Sequence, residues 1–338
     1  MAVRLAEVAA EAGVSAATAS RVLNGSSRRP AEEIAERVRA AAERLGYYPN
    51  AQAQALARSS ASLVGLIVHD IADPYFSTIA RGVQERLSGS GIQVMLASTG
   101  RDSALELEAV RSFMSHRTDA ILLAGSRGLS DDEELVVALE RYQGSGGRVV
   151  MIGQPLDLAG GIHLDNRGAA AALAAELLAA GHRRFAVLAG DPALITAAER
   201  VAGFVERLAE EGIEPLLVSE GVFTRDGGHD DMSRLLEAGA LDLDSGQVCV
   251  FCANDVMALG AMTAIREHGL AVPSDVAVAG FDDIPTLGDM VPSVTTVRLP
   301  LEEIGRQAAD FVLSEVDETY RESVRGEPVL RESTAVRS

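Results

Sequence analysis

The sequence predicts a small all-α head followed by an α/β body of two lobes, each built on a doubly wound parallel sheet. The first 60 residues show only short helical patterns, whereas apolar strands alternate with amphipathic helices from Leu63 onward. This βαβα rhythm is typical of parallel sheets with helices on both faces. About ten such units exceed one comfortable sheet, and a chain of 338 residues predicts about two to three cores. We therefore expect two similar lobes.

The charge is distributed unevenly along the chain. The net charge is −19, but residues 1–60 carry eight Arg against six acidic residues, so they contribute +2 and the remainder −21. A slightly basic head on a strongly acidic body is expected when only the head meets a polyanion.

Several classes of protein are disfavoured by composition. No apolar run reaches the length of a membrane span, and Glu7 and Glu11 interrupt the start in a way that no signal peptide would. Two cysteines are too few for a disulfide framework. We therefore expect a cytoplasmic protein that makes no membrane contact.

The head reads as three short helices. The first carries an apolar face that includes Leu5. Ser15 is a good N-cap for a second helix that runs to about Asn24. A third helix is predicted from about Ala31 to Leu45, ended by Gly46.

The first two helices have the spacing of a helix-turn-helix. Gly13 permits the tight turn between them, and the second helix would present its outer face to a major groove. Ser hydroxyls suit phosphates, Ala and the Thr18 methyl suit thymine methyls, and Arg21 suits a guanine edge. An ordinary αα-hairpin with a solvated face is the alternative. The outward residues are Ser15, Ala16, Ala17, Ser20 and Arg21.

In the body, most predicted strands are followed by a helix. We place the crossing between the two lobes near Gly153–Gly161. The strands are predicted at Leu63–Val68, Ile92–Ala97, Ala120–Leu123, Arg148–Ile152, Phe185–Leu188, Glu214–Val218, Val248–Phe251 and Val276–Ala279. The amphipathic helices are predicted at Phe76–Leu87, Ala169–Ala180, Val201–Glu210 and Ala258–His268.

Several motifs, in order along the chain, resemble those of one family. Val14–Gly25, with Leu45–Asn50 behind it, is similar to the lactose-repressor (LacI/GalR) family of transcription regulators, and the likeness covers essentially the whole chain. The other matching segments are Asp73–Phe76, Asp165–Ala169, Gly181–Arg184, Arg200–Phe204, Asn254–Gly260, Gly280–Asp283, Pro292–Val297 and Leu330–Thr334. The resemblance implies a sequence-specific DNA-binding regulator, expected to be a repressor, that a small-molecule effector controls.

The resemblance also implies how DNA is read. Residues 50–58 resemble a hinge helix that folds on the operator, and Leu56 matches a leucine that wedges between base pairs. Leu56 could instead be a linker residue that packs on the body. Ala16 and Ala17 resemble members that read pseudopalindromes with a central CG step. The implied DNA-binding residues are Leu5, Ser15, Ala16, Ala17, Thr18, Ser20, Arg21, Asn24, Asn50, Ala53, Gln54 and Leu56.

The chain departs from the family pattern at a few positions. Ala19 replaces a usual Val, and Ile34 lies where Thr is common. Gln54 lies where Arg is frequent, which removes one phosphate-directed charge. The loop at residues 26–30 is one residue longer than usual.

The body is also similar to sugar-binding periplasmic proteins, whose ligand lies in a cleft between two lobes. An aromatic face beside a carboxylate suits a polyol, and an arginine fork can hold two oxygens. Arg200 and Asp282 could instead form a structural ion pair, and Phe76 could be plain core. The implied effector-binding residues are Asp73, Tyr75, Phe76, Arg127, Asp165, Arg200, Phe223, Asn254 and Asp282.

Enzyme chemistry finds little support. Cys249 and Cys252 lie on one predicted strand and would point to opposite faces, which argues against a metal or redox pair. His69 lies beside the cleft with only Asp70 or Asp73 as an obvious partner, and we assign Asp255 as a helix N-cap. We expect no metal, no cofactor and no catalytic residues. A carbohydrate-binding transport protein and an enzyme on the same fold remain the rival interpretations.

The expected organisation is a DNA-binding head at residues 1–49, a hinge and linker at 50–62, and an effector-binding and dimerisation body at 63–338. Two heads of a homodimer would read two half-sites. No heptad tail follows Arg331–Thr334, so a dimer is predicted rather than a coiled-coil tetramer. The effector is expected to be a sugar or a related metabolite, and its identity and the sign of the response stay open.

Overall fold

The computed structural model describes residues 3–24, 30–48, 62–125, 133–153, 159–314 and 321–336. The chain folds as two compact units, a helical head and an α/β body. No helix within these described ranges combines the length and the apolar character needed to cross a bilayer.

Among the described residues of the head, at 3–24 and 30–48, there are three helices, as predicted. Val8, Ala19 and Val38 are fully buried between them and form the centre of a small core. Gly46 ends the third helix in the left-handed conformation, at φ 64°, which glycine adopts without strain. The helices are α1 (Leu5–Glu11), α2 (Ala16–Asn24) and α3 (Glu32–Leu45).

The body alternates strands and helices through its described residues. Its strands are β1 (Leu63–Val68), β2 (Gln93–Ser98), β3 (Ala120–Gly125), β4 (Arg148–Gly153), β5 (Gly161–Leu164), β6 (Phe185–Gly190), β7 (Val218–Glu220), β8 (Val248–Cys252), β9 (Val276–Ala279), β10 (Thr296–Arg298), β11 (Arg321–Val324) and β12 (Glu327–Val329). Its helices are α4 (Pro74–Leu87), α5 (Ser103–Ser115), α6 (Glu133–Gly144), α7 (Asn166–Ala179), α8 (Ile195–Glu210), α9 (Arg225–Glu237), α10 (Asp255–Glu267) and α11 (Leu301–Leu313).

The first lobe, which we call the N lobe, is a six-stranded sheet in the order β11-β5-β4-β3-β1-β2. Alternate residues of its strands enter two separate cores, because successive side chains of a strand point to opposite faces. On β3, Leu122 packs with α4 and α11, whereas Ile121 and Leu123 pack with α5 and α6. Helices therefore cover both faces, which confirms the doubly wound fold.

The second lobe, the C lobe, is a parallel four-stranded sheet in the order β7-β6-β8-β9. Its helices pack as two pairs, α7 with α8 and α9 with α10. A separate two-stranded antiparallel ribbon, β10 with β12, joins the lobes.

The described chain crosses between the lobes three times. The first crossing follows Leu164, the second lies between β10 and α11, and the third between β11 and β12. The predicted crossing at Gly153–Gly161 was wrong. Gly161–Leu164 forms β5, which pairs with both β4 and β11 in the N lobe, so the chain leaves that lobe only afterwards.

Some predicted bounds also needed correction. The strand expected at Glu214–Val218 lies instead at Val218–Glu220, because Pro215 has no N–H with which to join a ladder. The helix expected from Val201 begins at Ile195, so it includes Arg200. The alternation of the sequence did not reveal four helices and four strands: α5, α6, α9, α11, β5, β10, β11 and β12.

Close helix contacts depend on glycine in both lobes. A Cβ on Gly82 of α4 would lie 2.0 Å from the Glu302 carbonyl oxygen of α11, and one on Gly305 would lie 2.1 Å from the Ile79 carbonyl oxygen. A Cβ on Gly260 of α10 would lie 2.0 Å from the Arg225 carbonyl oxygen of α9. These positions let the paired helix backbones touch.

Candidate functional site: a reading head and an inter-lobe cleft

The turn between α1 and α2 contains the predicted glycine turn and N-cap. Gly13 adopts φ 65° in the turn, a conformation that suits glycine. The Ser15 hydroxyl accepts a hydrogen bond from the Thr18 N–H at 3.1 Å, which is the contact of an N-cap. The Arg37 guanidinium donates to the Ala12 carbonyl and so ties α3 to this turn.

The predicted DNA-binding residues of the head differ in their exposure. Ser15, Ala16, Ala17 and Arg21 are exposed on one side of α2. Of the others, Thr18 and Ser20 are half-buried, Leu5 is half-buried and packs against the head core, and Asn24 is the last residue of α2. Asn50, Ala53, Gln54 and Leu56 lie outside the described residues.

Ala19, the departure from the usual Val, is completely buried beneath this surface. The head core therefore uses a smaller side chain at this position, and the exposed side of α2 is unaffected.

The body has a cavity where the carboxyl ends of strands from both lobes meet. Seven of the nine predicted effector-binding residues line it, together with five that were not predicted. The cavity is lined by Asp73, Tyr75, Phe76, Arg101, Gly125, Gly153 and Leu164 of the N lobe and by Thr196, Arg200, Phe223, Asn254 and Asp282 of the C-lobe side.

Two predicted residues are not in this set. Asp165 caps α7 by accepting a hydrogen bond from the Gly168 N–H at 2.8 Å, so its carboxylate has a structural role. Arg127 lies outside the described residues.

Arg200 and Asp282 form the polar centre of the cavity. Their closest side-chain atoms are 2.7 Å apart, and the two side chains are 2% and 7% exposed. The guanidinium also donates to the Asn166 side-chain oxygen at 3.0 Å and to the Ala253 carbonyl at 2.9 Å. Its face lies over the Phe281 ring at 3.9 Å. The ion pair that the sequence left as an alternative is thus present, within the cavity itself.

An aromatic wall stands on the N-lobe side. The Asp73 carboxylate caps α4 by accepting from the Tyr75 N–H at 2.9 Å, and this cap positions the two rings that follow. Tyr75 and Phe76 pack edge to face at 4.9 Å, and Phe76 meets the His69 ring at 5.5 Å. Phe76 is 4% exposed, so it belongs to the core as well as to the cavity.

Arg101 is a cavity residue that the sequence reasoning missed. It follows β2, as Asp73 follows β1, and this shared position at a strand's carboxyl end could have revealed it. Its guanidinium carbon lies 5.4 Å from the centroid of the Phe223 ring, which belongs to the opposite lobe. Its Nε is buried without a hydrogen-bond partner among the described residues.

Asn254, and not Asp255, caps α10, and Asn254 also lines the cavity. Asn254 is the N-cap of α10, with its side-chain oxygen accepting from the Met257 N–H at 2.8 Å. Asp255, assigned as the cap from sequence, is fully buried instead. Its carboxylate accepts from the Ile284 N–H at 2.9 Å and from the Thr296 hydroxyl at 2.6 Å.

Burial dominates the electrostatics of the cavity. It raises the pKa of Asp282 to about 7, although Arg200 acts in the opposite direction. Burial also raises the pKa of Asp73 and of Tyr75, and it lowers the pKa of Arg101. The cavity thus combines two arginines and two carboxyl groups with aromatic walls, which suits hydroxyl groups that both donate and accept.

The cavity is small, with a volume of about 30 Å³. Pockets that bind small molecules usually measure roughly 300 to 1,000 Å³. A sugar can therefore enter only if the lobes separate or the cavity side chains move.

The cysteines lie away from this cavity chemistry. Cys249 and Cys252 are both buried in β8, and burial raises the pKa of both thiols, which keeps them protonated. Within the described ranges, no group of three or more His, Cys, Asp and Glu side chains is arranged to hold a metal ion.

Comparison with known families matches both units. Residues 4–50 match the model of bacterial regulatory proteins of the lacI family. Residues 61–331 match the model of periplasmic binding proteins and the sugar-binding domain of the LacI family. The chain belongs to the LacI family.

Relatives of this LacI-family chain are transcriptional regulators. It is 36% identical to the regulator CelR of Thermobifida fusca over 94% of the chain and 93% of the relative. It is 32% identical to the regulator GalR of Escherichia coli K12 over 92% of the chain and 88% of the relative. Like these proteins, the chain is a DNA-binding transcriptional regulator.

Two solved structures of transcriptional regulators are similar to this chain over nearly its whole length. A lac repressor dimer bound to operator and the anti-inducer ONPF superposes with a TM-score of 0.83 at 27% identity, covering 99% of each chain. A complex of the regulator CelR with cellobiose gives a TM-score of 0.69 at 32% identity, covering 98% of this chain and 99% of that one.

Proposed function

We propose that this regulator is a homodimeric repressor whose affinity for operator DNA is controlled by a sugar, or a related polyhydroxylated metabolite, bound between its lobes. The observation that carries the proposal is the cavity, where Arg101, Arg200, Asp73 and Asp282 meet aromatic rings from both lobes. Such a set can donate to and accept from hydroxyl groups and can stack on the apolar face of a sugar ring. The cellobiose bound to the CelR relative supports this ligand class.

The small size of the cavity supports control by lobe movement. A sugar that fits only an opened cleft binds one arrangement of the lobes better than another, and this difference in affinity shifts the equilibrium between them. The proposed hinge and linker at residues 50–62 connect that movement to the heads at residues 1–49, while the body at residues 63–338 binds effector and dimerises. The hinge lies outside the described residues.

DNA reading is proposed for the exposed side of α2. Arg21 would contact a guanine edge, Ala16 and Ala17 would contact thymine methyls, and Ser15 and Ser20 would contact phosphates. Thr18, Leu5 and Asn24 complete the proposed surface of the head. Asn50, Ala53, Gln54 and Leu56 are proposed to act at the centre of a pseudopalindromic operator with a central CG step.

A role in sugar binding alone, or in catalysis, is less well supported. The helix-turn-helix would have no purpose in a transport protein, and the family relatives are regulators. We infer that the protein is not an enzyme and acts in the cytoplasm, where its DNA is.

The function can be tested in two steps. A thermal-shift panel of mono- and disaccharides, beginning with cellobiose, should give at least one sugar that raises the melting temperature, because a ligand that prefers the native state stabilises it. Operator duplexes selected from random sequence should then bind more weakly or more tightly when that sugar is present.

The decisive variant is Asp282→Asn, with Arg167→Met as a matched control, because the Arg167–Glu206 pair is exposed. Asp282→Asn should abolish the thermal shift and retain operator binding, whereas Arg167→Met should behave as wild type. A protein that selects no palindromic duplex over random DNA, with or without sugars, would contradict the proposal. Turnover of a sugar would favour an enzyme.

A further inference from the structure

Two consecutive aspartates connect the cavity to the segments that join the lobes. Asp282 adopts φ 124° and Asp283 adopts φ 56°. Both values lie in the left-handed region that residues other than glycine rarely adopt, and such conformations persist only where the surroundings determine them strongly. The contacts of the two residues show what holds them there.

Asp282 belongs to both the cavity and a crossing segment. Its carboxylate contacts Arg200 inside the cavity. Its backbone N–H donates to the Val297 carbonyl at 2.9 Å, and its carbonyl accepts from the Leu299 N–H at 3.3 Å. The main chain of a cavity residue is therefore bonded to the strand that leads out of the C lobe toward α11.

Asp283 contacts two crossing segments with one carboxylate. One oxygen accepts from Arg298 Nε at 2.7 Å, and the other lies 2.6 Å from Arg331 Nη2. Arg298 is the last residue of β10, immediately before the second crossing, and Arg331 follows β12, shortly after the third. The Asp283 side chain is 9% exposed and the Arg331 side chain 16%, whereas the Arg298 side chain is 55% exposed. Water therefore competes less for the Arg331 contact than for the Arg298 contact.

The remaining contact of Asp283 holds its backbone in place, and the residue does not face the cavity. Its N–H donates to the Thr296 hydroxyl oxygen at 3.3 Å, and that hydroxyl donates to the buried Asp255 carboxylate at 2.6 Å. Asp283 does not line the cavity. A displacement of Asp282 toward a ligand must therefore move the adjacent carboxylate and the two arginines that it holds.

We propose that Asp283 is a positioning residue that couples the occupancy of the cavity to the angle between the lobes, through Arg298 and Arg331. This inference rests on the proposed function, since it concerns the effector site of that same body. In this proposal Asp282 contacts the effector, and Asp283 couples that contact to the angle between the lobes.

The test compares Asp283→Asn with wild type in the full-length protein. The control is Asp289→Asn, because Asp289 is an exposed carboxylate six residues away, at the end of the 3-10 helix Pro285–Asp289. Sugar affinity is measured by calorimetry with cellobiose and with the sugar of the panel that gives the largest thermal shift. Operator affinity is measured with and without that sugar. Hydrogen exchange of residues 296–298 and 327–329 reports on the crossing strands without any ligand.

Asp283→Asn should bind sugar alone and operator alone with affinities within about threefold of wild type. The effect of sugar on its operator affinity should fall to about twofold or less. Couplings of about 5- to 150-fold are usual for intact allosteric proteins. In Asp283→Asn, the amide hydrogens of β10 and β12 should exchange faster than in wild type and in Asp289→Asn. Arg298→Met, which leaves Asp283 in place, should weaken the coupling in the same direction. A merely structural residue would change folding or both affinities instead.

The possible outcomes separate this inference from the proposed function. If wild type shows no sugar-dependent change in operator affinity, the proposed function fails and the coupling role fails with it. If wild type responds and Asp283→Asn responds equally, only the coupling role is overturned. Loss of sugar binding in Asp283→Asn would make Asp283 a binding residue and would also overturn it.

Discussion

Arg101 of the N lobe lies over the Phe223 ring of the C lobe, with 5.4 Å between the guanidinium carbon and the ring centroid. This contact spans the cleft. Phe223 is held close to the backbone of Gly190, where a Cβ would lie 2.6 Å from the ring. Arg101 therefore contributes both to closure of the cleft and to its polar lining.

Replacement of Arg101 should weaken effector binding. Arg101→Met removes a buried guanidinium donor from the cavity lining. A hydrogen bond from a charged donor is worth about 1.5 to 3 kcal/mol, so we expect the affinity for sugar to fall about tenfold or more. Calorimetry with the sugar of the panel measures this change. Arg111→Met is the control, because Arg111 is exposed on α5. Equal sugar affinity in both variants would remove Arg101 from the site.

Removal of one partner of the buried ion pair should destabilise the body. Asp282→Ala removes the oxygen that accepts a hydrogen bond from the buried Arg200 guanidinium, which either form of the carboxyl group supplies. Loss of such a buried partner typically costs about 3 to 5 kcal/mol. Denaturant unfolding of the full chain should show this loss. Glu206→Ala breaks the exposed Arg167 pair and should change the free energy of unfolding by less than about 1 kcal/mol. Similar losses in the two variants would mean that the Arg200 pair is not buried in solution.

The contribution of Asp282 to stability should depend on pH. Its pKa in the folded protein is about 7, above the ordinary value of 3.8, so the folded state binds the proton more tightly than the unfolded state. The free energy of unfolding should therefore rise as the pH falls from 8 toward 5, by up to about 1.4 kcal/mol per pH unit.

Asp282→Asn should lack the pH-dependent contribution of Asp282 to the free energy of unfolding. Because the pKa of Asp255 is also raised by burial, the informative quantity is the difference between wild type and Asp282→Asn, measured by denaturation from pH 5 to 8. A difference that does not vary with pH would contradict the raised pKa of Asp282.

Arg21 should determine the identity of a base in the operator. Arg21→Met should reduce operator affinity by about 1 to 3 kcal/mol and relax the preference at one position of each half-site. Competition binding against operators changed at single positions measures both effects. Arg39→Met is the control, because Arg39 pairs with Glu32 within α3. A uniform loss across all sequences would indicate a phosphate contact instead.

The contact between α4 and α11 should not tolerate a methyl group. Gly82→Ala places a Cβ against the Glu302 carbonyl and should destabilise the body by at least about 1 to 3 kcal/mol. Gly144→Ala meets nothing within 4 Å and should be close to neutral. Thermal and denaturant unfolding of the two variants should separate them clearly, and equal stabilities would mean that the helices are not in close contact.

Much of the fold was predictable because local rules specify it. The structure confirms that Ser15 caps the start of α2 and that Gly46 ends α3, as the sequence predicted. The apolar strands β1, β3, β4, β6, β8 and β9 were found because nearly all of their residues are buried and apolar, whereas the four-residue strand β5 was missed. Strands with weaker patterns, such as β2 and β7 at the sheet edges, were shifted or missed, because half-exposed edge strands carry a less apolar sequence.

The sequence by itself determined the helix-turn-helix and the alternation of strands and helices in the body, because periodicity and caps are local properties. Motifs that resemble the LacI family added seven of the twelve residues that line the cleft. Only the tertiary structure revealed Arg101 as a cleft residue, Asp255 as a buried carboxylate and Asp283 as the link between crossing segments. These roles depend on which distant residues meet, such as Arg298 and Arg331 around Asp283. Contacts of that kind follow from sheet topology and burial, which no local pattern in the chain encodes.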